Sequence, residues 1–110
     1  MNILFVCSRN QWRSPTAEAV FRRHPGIYVR SAGTSPRAKH TVSIDDVRWA
    51  DQICAMEEKH KNRVLALFPR AARESRIVVL DIPDDYKYMD TELIEILKDA
   101  VGSIIDAGAV

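Results

Sequence analysis

Cysteine is scarce in this chain. Cys7 and Cys54 are too few for a disulfide framework, and no Cys-x-x-Cys pair or Cys/His cluster has the spacing of a metal site. That usage fits a reducing, cytoplasmic setting. Excess charge is lacking too. A formal net charge of +1 gives no long-range pull toward nucleic acid or membrane, and no basic stripe is interleaved with aromatics. No apolar run approaches the roughly 20 residues of a membrane span. The apolar stretch at the N-terminus has no basic region before it, as a secretory signal would. Repeats, low-complexity segments and linkers are missing as well. What remains is 110 residues, 46% hydrophobic and 28% charged, which is enough for one core in one domain spanning residues 1–110. None of this sets an oligomeric state.

Strand and helix signals alternate. Residues 2–7 form a short apolar run of the kind buried on both faces of a parallel sheet. Ser14-Pro15 suits a helix start, with Ser as cap and Pro in the first turn, and the helix then runs over residues 16–24 to Pro25-Gly26. A strand over residues 27–30 leads to a loop over 31–36. Ser43 caps a short helix reaching Ala50. Residues 52–56 read as a strand and residues 57–67 as a helix closed by Pro69. Residues 76–80, β-branched and bounded by charge, read as the clearest strand. A polar loop over residues 81–88 precedes a final helix capped by Asp90 or Thr91, with Leu93, Leu97, Ala100, Val101, Ile104 and Ile105 as its apolar stripe. The order implies an α/β fold: a four-stranded parallel sheet with helices on both faces, a three-layer Rossmann-like arrangement. Such sheets bind ligands at the carboxyl ends of their strands, where Cys7 and Asp81 both fall.

The stretch ILFVCSRNQWRSP places Cys7, five intervening residues, Arg13 and Ser14 between the first strand and the first helix. Loop N–H groups, the free N–H groups of a helix start and its dipole together make an anion site. Arg13 adds a planar fork that grips two phosphate oxygens. A thiol in such a cage meets positive potential, which favours the nucleophilic thiolate. Oxyanion and nucleophile therefore occupy one cage, and the chemistry implied is attack by sulfur on a phosphate ester. The alternative for Cys7 is an inert core thiol, for Arg13 a surface salt bridge, and for Ser14 a plain helix cap.

ILFVCSRNQWRSPTAEAVF resembles the opening of the low-molecular-weight protein tyrosine phosphatases: strand, Cys-x5-Arg-Ser-Pro, then Ala-Glu-Ala in a helix. VRSAGTSP and DDVRWADQICAME resemble two later segments of that family in the same order. The resemblance implies the phosphotyrosine phosphatase I-like fold and phosphomonoester hydrolysis without metal or cofactor. Its substrate would be a phosphorylated protein or a small aryl phosphate. By that resemblance Cys7 is the nucleophile and Arg13 the phosphate clamp, and the backbone of Ser8, Arg9, Asn10, Gln11, Trp12 and Arg13 lines the cradle. Ser14 supports the thiolate. Asn10 holds the loop through a polar network with Ser31 and His40. The family places its general acid, an Asp before Pro, in the loop after the last strand. Here the loop reads LDIPDDY, with Asp81 the favoured acid and Asp84 and Asp85 its rivals.

Three departures stand out. Arg9 replaces a loop glycine, at a position where positive φ would be needed. Trp12 replaces a second loop cysteine. The chain is also about a third shorter than the family's members, notably after Thr34, so a shallower site is expected. Tyr86 and Tyr88 either flank a substrate ring or pack on the final helix. Cys54 reads as core, and the charged run Glu57-Glu58-Lys59-His60-Lys61 as a solvated helix face. Two other readings compete: an anion-binding regulatory module with weak or no turnover, and an arsenate reductase, for which the relay cysteines are missing.

Overall fold

The computed structural model describes residues 1–108; residues 109 and 110, the last of the expected domain, lie outside it. Four parallel strands are joined through helices: β1 (Asn2–Cys7), α1 (Arg13–Phe21), β2 (Tyr28–Gly33), α2 (Ile44–Trp49), β3 (Gln52–Ala55), α3 (Glu58–Leu67), α4 (Pro69–Arg73), β4 (Arg76–Val79) and α5 (Thr91–Gly108). The sheet order is β2-β1-β3-β4, so β1 is central.

β1 shows why the sequence folds this way. Its side chains alternate between two cores. Ile3, Phe5 and Cys7 face the layer of α1 and α5, where Phe21, Leu93, Leu97 and Val101 pack. Leu4 and Val6 face the layer of α2, α3 and α4, with Val47, Val64 and Ala72. Phe5 and Phe21 stack with centroids 6.0 Å apart, which pins α1 to the strand that precedes it. Burying both faces requires an apolar run rather than a polar alternation, and residues 3–7 supply one.

Several boundaries differ from the sequence expectations. α1 begins at Arg13 with Trp12 in the cap position, so Ser14 lies inside the first turn and is not the cap. β2 runs three residues into the expected loop because its end pairs with the end of β1, Val6 with Ala32 and Cys7 with Gly33. Pro69 opens the short helix α4 as well as ending α3, as its ring suits a first helical turn. The capping of α2 is as expected: Ser43 and Asp46 exchange side-chain and backbone bonds. Asp90 caps α5, its carboxylate accepting from the N–H groups of Glu92 and Leu93.

Candidate active site

The carboxyl end of β1 delivers Cys7 to the floor of a cleft of about 300 Å³, lined by Cys7, Ser8, Arg9, Gln11, Trp12, Arg13 and Asp84. A larger hollow of about 510 Å³ between α2 and the α3–α4 corner contains none of these loop residues. The smaller cleft gathers the candidate loop residues.

The loop's shape is set by backbone bonds. The carbonyls of Cys7, Ser8 and Arg9 accept from the N–H groups of Thr34, Ser35 and Lys39, at 2.9, 2.9 and 3.1 Å. In a planar trans peptide the N–H points opposite to the C=O. The N–H groups of Ser8, Arg9 and Asn10 therefore turn away from residues 34–39 and toward the cleft. Among the described residues, the N–H groups of Arg9 through Arg13 meet no protein acceptor. They form an open nest of donors of the kind that suits an anion. Gly33 lies beneath this turn. A Cβ there would stand 2.6 Å from the Ser8 carbonyl oxygen, so glycine is the residue that lets β2 and the loop approach.

The left-handed residue of the loop is Asn10, at φ 54°, and not Arg9. Asparagine tolerates that region far better than arginine. Arg9 sits exposed on the rim without strain. Asn10 also ties the loop together. Its amide nitrogen donates to Ser14 Oγ (3.0 Å) and Ser31 Oγ (2.9 Å), and Ser31 donates to Glu18 Oε1 (2.8 Å). Ser14 Oγ lies 3.0 Å from Cys7 Sγ and 3.4 Å from the Ala32 carbonyl. With Asn10 filling an acceptor site on Ser14, the hydroxyl proton is left to choose between that carbonyl and the sulfur. A thiolate at Cys7 would draw it.

His40 does not belong to this network. Its Nε2 bonds Asp46 Oδ2 at 2.7 Å, at the start of α2. Burial alone would raise Asp46, but the bonds from Ser43 and His40 outweigh it and hold the carboxyl below its usual range. Glu18 takes the place expected of the histidine. The Ala-Glu-Ala turn of α1 carries it, a signal present in the sequence.

Arg13 is 1% exposed. Its Nη1 donates to Glu57 Oε2 at 2.6 Å and to the Ile82 carbonyl at 2.8 Å. With both Nη1 hydrogens committed, the Nε–Nη2 edge remains as the fork for an anion. Asp84 Oδ1 stands 3.5 Å from Nε, at the same edge. Asp81, the favoured acid from sequence, lies elsewhere. It opens onto a separate depression with Glu57, Glu58, Lys59 and Pro83. The reason is the turn after β4. Asp81 adopts φ 55°, Ile82 drops into the core with its N–H on the Met56 carbonyl, and the chain returns to the cleft at Asp84. Asp85 is exposed and does not line the cleft. Nor does either tyrosine. Tyr86 packs on the α5 core, and Tyr88 lines a neighbouring groove, which leaves Trp12 as the aromatic wall of the cleft.

The charged run at the start of α3 is not merely a solvated face. Glu57 grips Arg13, and that bond holds its carboxyl below the usual range. His60 is 1% exposed. Its Nδ1 accepts from the Glu57 N–H (3.0 Å), so Nε2 carries the proton and donates to Ser8 Oγ (2.8 Å). The Ser8 hydroxyl is then free to donate into the cleft. Burial, aided by the Arg13 charge, pushes His60 down to about 4. Its ordinary value in an unfolded chain is near 6.5. Between these values the unfolded chain binds a proton that the folded chain refuses, so stability falls as pH drops through that window. The His60 contribution is roughly 3 kcal/mol by its lower end. Urea unfolding from pH 7 to pH 4 should show this loss in the native chain and not in His60→Gln; equal slopes would refute it. Cys54, by contrast, is fully buried in β3, and burial pushes its thiol up to about 12.

Fold and cage together define a class: the cysteine phosphatases. Residues 2–47 match the family model described as low molecular weight phosphotyrosine protein phosphatase. The chain is 30% identical to the low molecular weight protein-tyrosine-phosphatase Wzb of Escherichia coli K12, over 78% of each chain. It is also 30% identical to a protein-arginine-phosphatase of Geobacillus stearothermophilus, where the match spans 63% of each chain. In three dimensions a low molecular weight protein tyrosine phosphatase from T. tengcongensis shares the fold. Its TM-score is 0.79 at 22% identity, covering 97% of this chain and 99% of that one. The chain belongs to the low-molecular-weight protein-tyrosine-phosphatase family.

Proposed function

We propose that the chain hydrolyses aryl phosphomonoesters, phosphotyrosine on proteins foremost, through a phosphocysteine. The observation that carries this is the setting of Arg13, locked by Glu57 and Ile82 so that its free edge faces the cleft beside Cys7. The nest of N–H groups and that edge hold the phosphoryl oxygens. The Cys7 thiolate attacks phosphorus as the P–O bond to the leaving group breaks, and Asp84 gives its proton to the departing oxygen. Asp84 then takes a proton from water as the water attacks phosphorus. The S–P bond breaks, and Ser14 donates to the returning thiolate. No step draws on a metal. Cys7 must stay reduced, which goes with the reducing, cytoplasmic setting proposed for the chain.

The relatives named protein-arginine-phosphatases, at 30% and 33% identity, favour a second reading in which the leaving group is the guanidinium nitrogen of phosphoarginine. Turnover of p-nitrophenyl phosphate, a phosphotyrosyl peptide and a phosphoarginyl peptide, all with a metal chelator present, separates the two. The first two substrates should be hydrolysed, with the peptide ester ahead of the phosphoramidate. Faster release from phosphoarginine would move the substrate to the second reading. Phosphate binding without turnover of any substrate would leave an anion-binding module.

A further inference from the structure

Beside the cleft lies a second groove of about 440 Å³, and the two share Gln11 and Trp12 as a common wall. Arg9 lines the cleft and Lys39 lines the groove; the Lys39 N–H on the Arg9 carbonyl holds the two residues side by side. Arg37 stands two residues before Lys39, its N–H on Ser35 Oγ, and the Ser35 N–H sits on the Ser8 carbonyl. All three side chains are exposed, and among the described residues none forms an ion pair. The groove's one carboxylate, Glu18, is engaged by Ser31. Asp84 lines the cleft itself, at the Arg13 edge. One side of the mouth therefore carries two cations without an ion pair, Arg9 and Lys39, with the exposed Arg37 two residues along the same loop, and it is continuous with a groove that also offers Trp12, Pro15 and Tyr88.

We propose that Arg9, Arg37 and Lys39 form a subsite for acidic residues flanking the phosphorylated residue of a polypeptide substrate. The subsite rests on the phosphatase reading and names its substrate class. With a phosphoryl group in the cradle, neighbouring residues of an extended peptide lie across the Gln11–Trp12 wall, and glutamate or aspartate there meets positive charge. The subsite also gives the glycine-to-arginine departure at position 9 a use. Since Asn10 supplies the left-handed turn, position 9 is free to carry a side chain to the rim.

The test compares two phosphotyrosyl peptides, identical except for glutamate or glutamine at the two positions on each side of the phosphotyrosine. For the native chain kcat/KM should be about fivefold to tenfold higher for the glutamate peptide at low ionic strength. The preference should shrink toward unity in about 0.5 M salt. The double variant Arg37→Glu/Lys39→Glu should lose the preference yet hydrolyse p-nitrophenyl phosphate as the native chain does. Its loop bonds come from the backbone, so the cradle is kept. Equal kcat/KM for the two peptides, or a preference that survives the double variant, would overturn the subsite. A native chain inactive on p-nitrophenyl phosphate would overturn the phosphatase reading and the subsite with it.

Discussion

Cys7→Ser should lower turnover of p-nitrophenyl phosphate by at least about 10⁴-fold, to the level of the buffer blank. A serine hydroxyl at that position is protonated at neutral pH, and among the described residues no general base hydrogen-bonds the Cys7 side chain. Among the described residues its one side-chain hydrogen-bond partner is Ser14, at 3.0 Å, itself a hydroxyl. Phosphate binding should persist, because the N–H groups of the loop and the Arg13 edge do not involve the sulfur. Inorganic phosphate should still raise the melting temperature of the variant, and that measurement separates a lost nucleophile from a lost fold. Retained turnover would remove Cys7 from the mechanism. Turnover missing from native chain and variant alike, with binding in both, would point to the module reading.

The second large effect lies in the acid loop. Asp84→Asn should reduce kcat by about 10²- to 10³-fold with phenyl phosphate, within the range typical of a lost general acid. The loss should be smaller with p-nitrophenyl phosphate, whose leaving group departs without much help. Asp81→Asn should stay within about twofold of the native chain for both esters, since Asp81 opens onto a different depression. A loss in Asp81→Asn that matches Asp84→Asn would return the assignment to the residue nearest the strand. With Asp84 as the acid, the family's Asp-Pro pair reads Asp84-Asp85, and Asp85 stands in the place of the proline.

The parts of the site legible in the sequence are those set by neighbouring residues. β1, the loop and α1 follow one another directly, so the juxtaposition of Cys7, Arg13 and Ser14 needs no long-range information. Asp81 was expected at the cleft, where Asp84 stands instead, because a strand end does not say how the chain turns beyond it. Only the left-handed Asp81 and the burial of Ile82 bring Asp84, rather than Asp81, back to the cleft. Glu57 and His60 were hidden for a related reason. A charged run at a helix start looks solvated unless one knows that β3 ends beside the cradle. Their position at a strand's carboxyl end was the available signal. His40 shows the reverse error: a histidine of the expected type was present, and its partner turned out to be Asp46.

The backbone bonds that shape the cradle lie within residues 7–39, while the groups that hold Arg13 and Ser8 from outside it, and the carboxylate at the Arg13 edge, come from Glu57, Ile82, His60 and Asp84. The family model matches residues 2–47, so it covers the first set and none of the second. The nucleophile and the nest are thus carried by one continuous stretch, whereas the fork of Arg13 keeps its aim only while two distant strand ends, those of β3 and β4, hold their register beside it.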